Sequence, residues 1–260
     1  MSGIVQYFNQ NFGGYAREAY VASKALVGKP NKQNSKFIMF GRGRSGSTLL
    51  TSMLNQSKLV NCDKEIYNRS VLFPRQFLKN RSAVYSGDVY GFKLLSYQLR
   101  NQFGVEDGKV FLNELVQDQG YKLIYMKREN LVKQTLSKHY ARFRGSWHES
   151  KKVNITKMIV SIQDFIHELN EGRKLDFLEE DVLVGIPNFE VIYERDLEEN
   201  DAKIKLMLNI CEFLEIPTFK PEIKLEKISA KKVADYIDNW SELEQAIGKT
   251  KFSNFLADIE

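Results

Sequence analysis

The chain has 260 residues, 43% hydrophobic and 27% charged, with only 5 prolines. This is ordinary globular composition, and it excludes a disordered, collagen-like or low-complexity protein. A net charge of +5, from 38 basic and 33 acidic residues, suggests an anionic ligand and falls short of a nucleic-acid signature. The length exceeds the rough prior of about 150 residues per domain. With no repeat and no Ser/Gly-rich linker, the expectation is one domain over 1–260, with 1–35 a helical N-terminal extension and 218–260 a closing segment. No apolar run approaches the roughly 18 to 20 residues that cross a bilayer. The two cysteines, Cys62 and Cys211, make no disulfide framework, so a soluble protein of a reducing cytoplasm is expected. His139, His148 and His167 lack the spacing of a zinc site, so no metal is expected.

In chain order, KFIMFG at 36–41 is a short apolar run ending in glycine and predicts a strand. The GRGRSGSTLLTSMLNQ that continues from Gly41 turns to helical periodicity, with Leu49, Leu50, Met53 and Leu54 on one face. YGFKLL at 90–95 predicts a second strand, followed by a polar connector and the amphipathic stretch 110–119. YKLIYM at 121–126 reads as a buried strand running into a helix over 130–144, and a further long helix is predicted from Ile155 to Leu169 or beyond. FEVIYERDL at 189–197 reads as a strand and turn, and 201–216 as an amphipathic helix stopped by Pro217. Strands alternating with helices, the first strand joined to its helix by a Gly-rich loop, predict an α/β, P-loop-containing fold. Its central, mainly parallel sheet is flanked by helices on both faces, and ligands bind at the carboxyl ends of the strands.

From Gly41 the sequence matches the nucleotide-binding pattern G-x-x-x-x-G-K-S/T at both glycines and at Thr48, and carries Ser47 where lysine belongs. Backbone amides in such a loop and at the following helix N-terminus still form an anion site. An ATP or GTP hydrolase would lack the lysine that neutralises the β- and γ-phosphates; Arg44 supplies a cation at a different point. The plainer reading, a Gly/Ser surface turn, does not account for the strand before the loop and the helix after it.

FIMFGRGRSGSTLLTSMLNQ resembles the 5'-phosphosulfate loop of the sulfotransferase family, where an R-S-G-S/T-S/T segment follows the first strand. The match runs through Arg44, Ser45, Gly46, Ser47 and Thr48. The resemblance implies 3'-phosphoadenosine 5'-phosphosulfate (PAPS) as donor and 3'-phosphoadenosine 5'-phosphate (PAP) as product. YKLIYMKRENLVKQTLSKHY resembles the family's 3'-phosphate segment, which implies that role for Arg128 and, nine residues later, Ser137. A forked guanidinium and a short hydroxyl suit a phosphate. Here the proline that often follows the arginine is absent.

LVNCDKEIYN resembles the stretch of bacterial glycan- and lipid-modifying and of tyrosylprotein sulfotransferases that ends in a general-base glutamate, which implies Glu65 as base, with Asp63 second. A hydroxyl acceptor needs such a base because it is a poor nucleophile until its proton leaves. Cytosolic members use a histidine instead, and none follows the corresponding strand closely here. Lys93 lies inside the apolar run YGFKLL. It either snorkels to the surface or meets the sulfuryl group or its bridging oxygen, or pairs with Glu65. Near the C-terminus, Lys231 or Lys232 either touches the cofactor or starts a solvated helix. The sequence reading is thus a PAPS-dependent sulfotransferase with catalytic Glu65, Lys93 and Arg44. Its acceptor would be a hydroxyl of a carbohydrate, lipid or small molecule. A P-loop kinase or NTPase and a non-catalytic nucleotide-binding module are the alternatives, and nucleic-acid binding ranks last.

Overall fold

The computed structural model describes residues 2–27, 35–85, 87–145, 156–223 and 232–259. In chain order the main elements are α1 (Ser2–Val27), β1 (Ser35–Gly41), α2 (Ser47–Leu54), β2 (Val60–Glu65), α3 (Pro74–Val84), β3 (Val89–Leu95), α4 (Ser96–Phe103), α5 (Val105–Asn113) and β4 (Tyr121–Lys127). There follow α6 (Leu131–Phe143), α7 (Ile162–Val182), β5 (Phe189–Ile192), α8 (Tyr193–Asp196), α9 (Asn200–Leu214) and α10 (Trp240–Gly248).

The five strands form one sheet in the order β2-β3-β1-β4-β5, every pair parallel. β1 is central, and side chains 37–40 are at most 1% exposed on both of its faces. That is why it reads as an unbroken apolar run and not as an alternation. Ile38 and Phe40 join Phe92, Leu123 and residues of α1, α3, α4 and α5 on one face. Phe37 and Met39 join Leu50 of α2 and Met207 and Ile210 of α9 on the other. Burying each such side chain stabilises the fold by roughly 1.5–3 kcal/mol. A third cluster ties α6 and α7 to Val233, Ile237 and α10. The chain leaves β1 toward β2 on one side and leaves β4 toward β5 on the other. The carboxyl ends of β1 and β4 therefore flank the crevice where such sheets take ligands.

Several elements differ from the sequence reading. The polar connector after β3 is the helix α4, whose Leu99 is buried and whose other face carries Tyr97 and Arg100. Residues 60–65 are an edge strand, hidden because its VNCDKE alternation sets only Val60 and Cys62 against the core. α3 has only Phe77 and Leu78 buried, too few for a visible apolar stripe. The long helix begins at Ile162, capped by Ser161, and Met158 before it bridges Ile237; Ile155 and His148 lie outside the described residues. Among the described residues no helix is long and apolar enough to cross a membrane. Both cysteines are free and buried, and burial pushes the Cys62 thiol up to about 12.

Candidate active site

The loop between β1 and α2 is built on left-handed backbone. Gly41 has φ +143° and Gly46 φ +83°; a Cβ at Gly41 would stand 2.2 Å from the Met126 carbonyl oxygen, and one at Gly46 2.5 Å from Leu197 Cδ1. Arg44 itself has φ 67°, a conformation that costs a non-glycine residue about 1 kcal/mol or more. It is held in a loop three of whose carbonyls have donors within the protein. The Ser45 hydroxyl donates to Arg42 O at 2.7 Å, Gln134 Nε2 to Gly43 O at 2.9 Å, and Arg128 Nη1 to Arg44 O at 3.1 Å. With three carbonyls engaged by the protein, the loop's exposed polarity is that of its amides. The first-turn N–H groups of α2 add to it, because they have no intrahelical acceptor. Together with the helix dipole this makes an anion site. Ser45 is fully buried and its hydroxyl is engaged inside the loop, so it shapes the loop from within.

Arg42 anchors the loop from below, a role the sequence reading missed. Its guanidinium, in a residue 6% exposed, reaches Asp176 Oδ1 at 2.5 Å, Glu179 Oε1 at 3.5 Å and the Gly172 carbonyl at 3.1 Å, all on α7. Glu179 is fully buried and also accepts from the Ser96 hydroxyl and, at 2.9 Å, from the Tyr125 hydroxyl. Burial pushes the Glu179 carboxyl above the usual range, against the opposing pull of Arg42, Ser96 and Tyr125. The one signal was Asp176 and Glu179 three residues apart on a helix, and nothing local marks Arg42 as their partner.

At the far side of α2, Glu65 and Lys93 meet through a change of register. Asp63 pairs with Phe92, yet Glu65 pairs with Lys93, so β2 carries one extra residue. In regular pairing Lys64 would stand opposite Lys93, two like charges on one face. The bulge substitutes the glutamate, which is how such irregularities re-aim side chains. Lys93 Nζ lies 3.4 Å from Glu65 Oε1 and donates to Thr48 Oγ1 at 3.1 Å, in a residue 4% exposed. It is buried and paired; it does not snorkel. Asp63 points to the opposite face and accepts from two nitrogens of Arg81, Nε at 2.6 Å and Nη2 at 3.1 Å.

At the end of β4, Arg128 is buried over the Tyr193 ring, 4.5 Å from its centroid, with Nε 3.3 Å from Glu194 Oε1. Asn130 caps α6 by accepting from Lys133 N at 2.8 Å, and Ser137 Oγ accepts from Arg44 Nε at 3.0 Å. Arg44 therefore links the two sequence-derived segments directly. Burial, and then repulsion from Arg128, hold the Arg44 guanidinium below its usual range. Two cations held this close are relieved by an anion between them.

Glu65, Lys93, Arg44, Gly46, Ser47, Thr48, Arg128 and Ser137 all line one cavity of about 1100 Å³, and Ser45 does not. No family model matches the chain, and no curated protein matches it by sequence. Among solved structures, the fold is similar to that of a sulfotransferase from Alicyclobacillus acidocaldarius. The TM-score is 0.52 at 13% identity, over 87% of this chain and 94% of that one. The chain shares that fold. Sulfotransferase STF9 from Mycobacterium avium (TM-score 0.49, 11% identity, 94% and 82% covered) also matches. So does mouse sulfotransferase SULT7A1 complexed with PAP (0.47, 11%, 93% and 95%).

Neither His139 nor His167 lines the cavity. His139 sits 3.5 Å from Glu168, its imidazole held below the usual range by burial. No group of three or more His, Cys, Asp or Glu is placed to hold a metal among the described residues. Lys232 is exposed and Lys231 lies outside the described residues.

Proposed function

We propose that the chain is a PAPS-dependent sulfotransferase acting on a hydroxyl of a carbohydrate, lipid or small-molecule acceptor, in a reducing cytoplasm. The observation that carries this reading is the presence of two cationic poles on one amide-lined loop. One is Lys93 on Thr48, beside Glu65; the other is Arg128 with Ser137, joined to the loop through Arg44. A donor with a phosphosulfate at one end and a separate 3'-phosphate at the other matches two poles; a simple mononucleotide engages one. In this reading the loop amides of 46–48 and Arg44 hold the 5' end, and Arg128 and Ser137 the 3'-phosphate.

Glu65 removes the acceptor proton as the acceptor oxygen bonds to sulfur. Lys93 meets the negative charge that develops on the bridging oxygen as the sulfur–oxygen bond to the departing PAP breaks. The kinase alternative needs the Thr48 hydroxyl for a divalent cation. An ammonium at 3.1 Å already occupies that direction, and two positive groups there repel. A non-catalytic module has no use for Glu65 held against a lysine.

The test is thermal shift and calorimetry with PAP, AMP and ATP. PAP at a hundred times its Kd stabilises the fold by about 2.7 kcal/mol, and AMP, lacking the 3'-phosphate, requires far higher concentration for the same shift. Equal shifts for PAP and AMP would sink the reading. Turnover with PAPS is expected to persist in EDTA, because Lys93, Arg44 and loop amides supply the charge; loss in EDTA with recovery in magnesium would favour the kinase.

A further inference from the structure

Glu65 is the last residue of an edge strand and follows a bulge, the place in the sheet where the ladder holds a side chain least. Something outside β2 has to fix it. Lys93 holds one oxygen, Oε1. The other, Oε2, accepts from Gln98 Nε2 at 3.1 Å. Gln98 is 2% exposed and does not line the cavity, so it touches the carboxylate from behind.

The direction of the Gln98 amide is determined by its other end. Its Oε1 accepts the Leu95 N–H at 3.1 Å, a side chain three residues into α4 reaching back to the backbone before it. A flipped amide would set its NH2 against that N–H and its oxygen against the carboxylate, losing both bonds. The remaining amide hydrogen faces the Tyr97 hydroxyl at 3.4 Å. Because Leu95 belongs to the strand that carries Lys93, Gln98 ties the carboxylate of β2 to the strand of its lysine. Glu65 is thereby gripped from two sides.

We infer that Gln98 is a positioning residue: it orients the Glu65 carboxylate toward the acceptor hydroxyl and acts on the reaction only through Glu65. The inference rests on the proposed role of Glu65. It adds a determinant that lies outside the motifs the sequence displays, since Gln98 falls in the segment read there as a polar connector.

The test uses Gln98→Glu, Gln98→Met and Glu65→Gln, singly and combined, in the full chain. Gln98→Glu keeps an acceptor for Leu95 N–H and replaces the donor by a carboxylate facing Glu65, a like charge that disfavours its ionised form; Gln98→Met removes donor and acceptor without adding a charge. A hydrogen bond to a charged group corresponds to about a ten- to hundredfold change. Both Gln98 variants are therefore expected to lose turnover by that factor while PAP affinity and acceptor KM stay near wild type. In the Glu65→Gln background neither should cause a further loss, because the residue they act through is gone. A structural role would instead give multiplying losses, and Gln98→Glu turning over like wild type would overturn the inference.

Crystal structures of wild type and Gln98→Met give a readout that needs no turnover. The Glu65 carboxylate is expected to move or spread over rotamers in the variant, and a carboxylate left in place overturns the inference. If it moves while wild type transfers no sulfuryl group from PAPS, Gln98 holds the carboxylate as inferred and it is the proposed function that fails, taking with it the part played in the reaction.

Discussion

Glu65→Gln is expected to lower turnover by about a hundredfold to ten-thousandfold, the usual range for removing a general base, or roughly 3 to 5 kcal/mol of barrier. Glutamine keeps the size of the side chain and an oxygen for Lys93 to face, at 3.4 Å in the native pair, so the cavity wall stays intact. The loss should fall on the chemical step and leave PAP affinity nearly unchanged, because the groups proposed to hold the donor, the loop amides, Arg44, Arg128 and Ser137, are left in place. Arg44→Ala serves as the contrast. Its guanidinium bonds Ser137 and lies beside Arg128 in the ground state, so both PAP affinity and rate are expected to fall. Single-turnover rates and PAP titrations on the two variants make the measurement. A Glu65→Gln protein keeping more than about a third of normal turnover, with chemistry rate-limiting, would remove Glu65 from the role of base. Asp63 is then no substitute, since its carboxylate is engaged by Arg81 on the far face of the sheet.

The parts of the site legible in the sequence are those made by contiguous chain. The glycines flanking the loop, the strand before it and the apolar stripe after it are local signals, because a left-handed turn and a 3.6-residue period depend on near neighbours. Arg128 and Ser137 are legible for the same reason, as a strand end and the helix it enters. β1, β3 and β4 are visible because parallel strands covered on both faces must be apolar throughout. β5 is shorter, and the turn expected after it is the single helical turn of α8.

What sequence could not display is made by pairing across the sheet. Whether Lys64 or Glu65 faces Lys93 depends on one bulge, and the VNCDKE alternation reads equally as strand or loop. Gln98 looks like connector because α4 turns one apolar residue, Leu99, fully inward among polar ones. Arg42 looks like one more loop cation; its burial depends on two carboxylates over 130 residues later.

That buried cluster gives the largest expected stability effect. Glu179→Ala leaves the Ser96 and Tyr125 hydroxyls without their acceptor and Arg42 with one carboxylate, Asp176 at 2.5 Å, beside the Gly172 carbonyl. Removing one partner of a buried ion pair typically costs about 3–5 kcal/mol, which for a chain of this size lowers Tm by of order 10 °C. Replacing both charges, as Arg42→Met with Glu179→Met, should recover part of that stability, because no unpaired arginine stays buried and Asp176 keeps Arg173 at 3.4 Å, while the Ser96 and Tyr125 hydroxyls still lack their acceptor. It should not recover PAP affinity, since the loop loses its tie to α7. The pH dependence has a definite sign. With the folded carboxyl raised by burial, its stabilisation is complete below the unfolded value and is lost as pH rises through the folded one. The stability advantage of wild type over Glu179→Gln is therefore greatest in acid and narrows as pH rises. Denaturation of wild type and the three variants across that range, with PAP titrations alongside, separates the two effects. A Glu179→Ala protein within about 1 kcal/mol of wild type would mean that the cluster does not hold the loop.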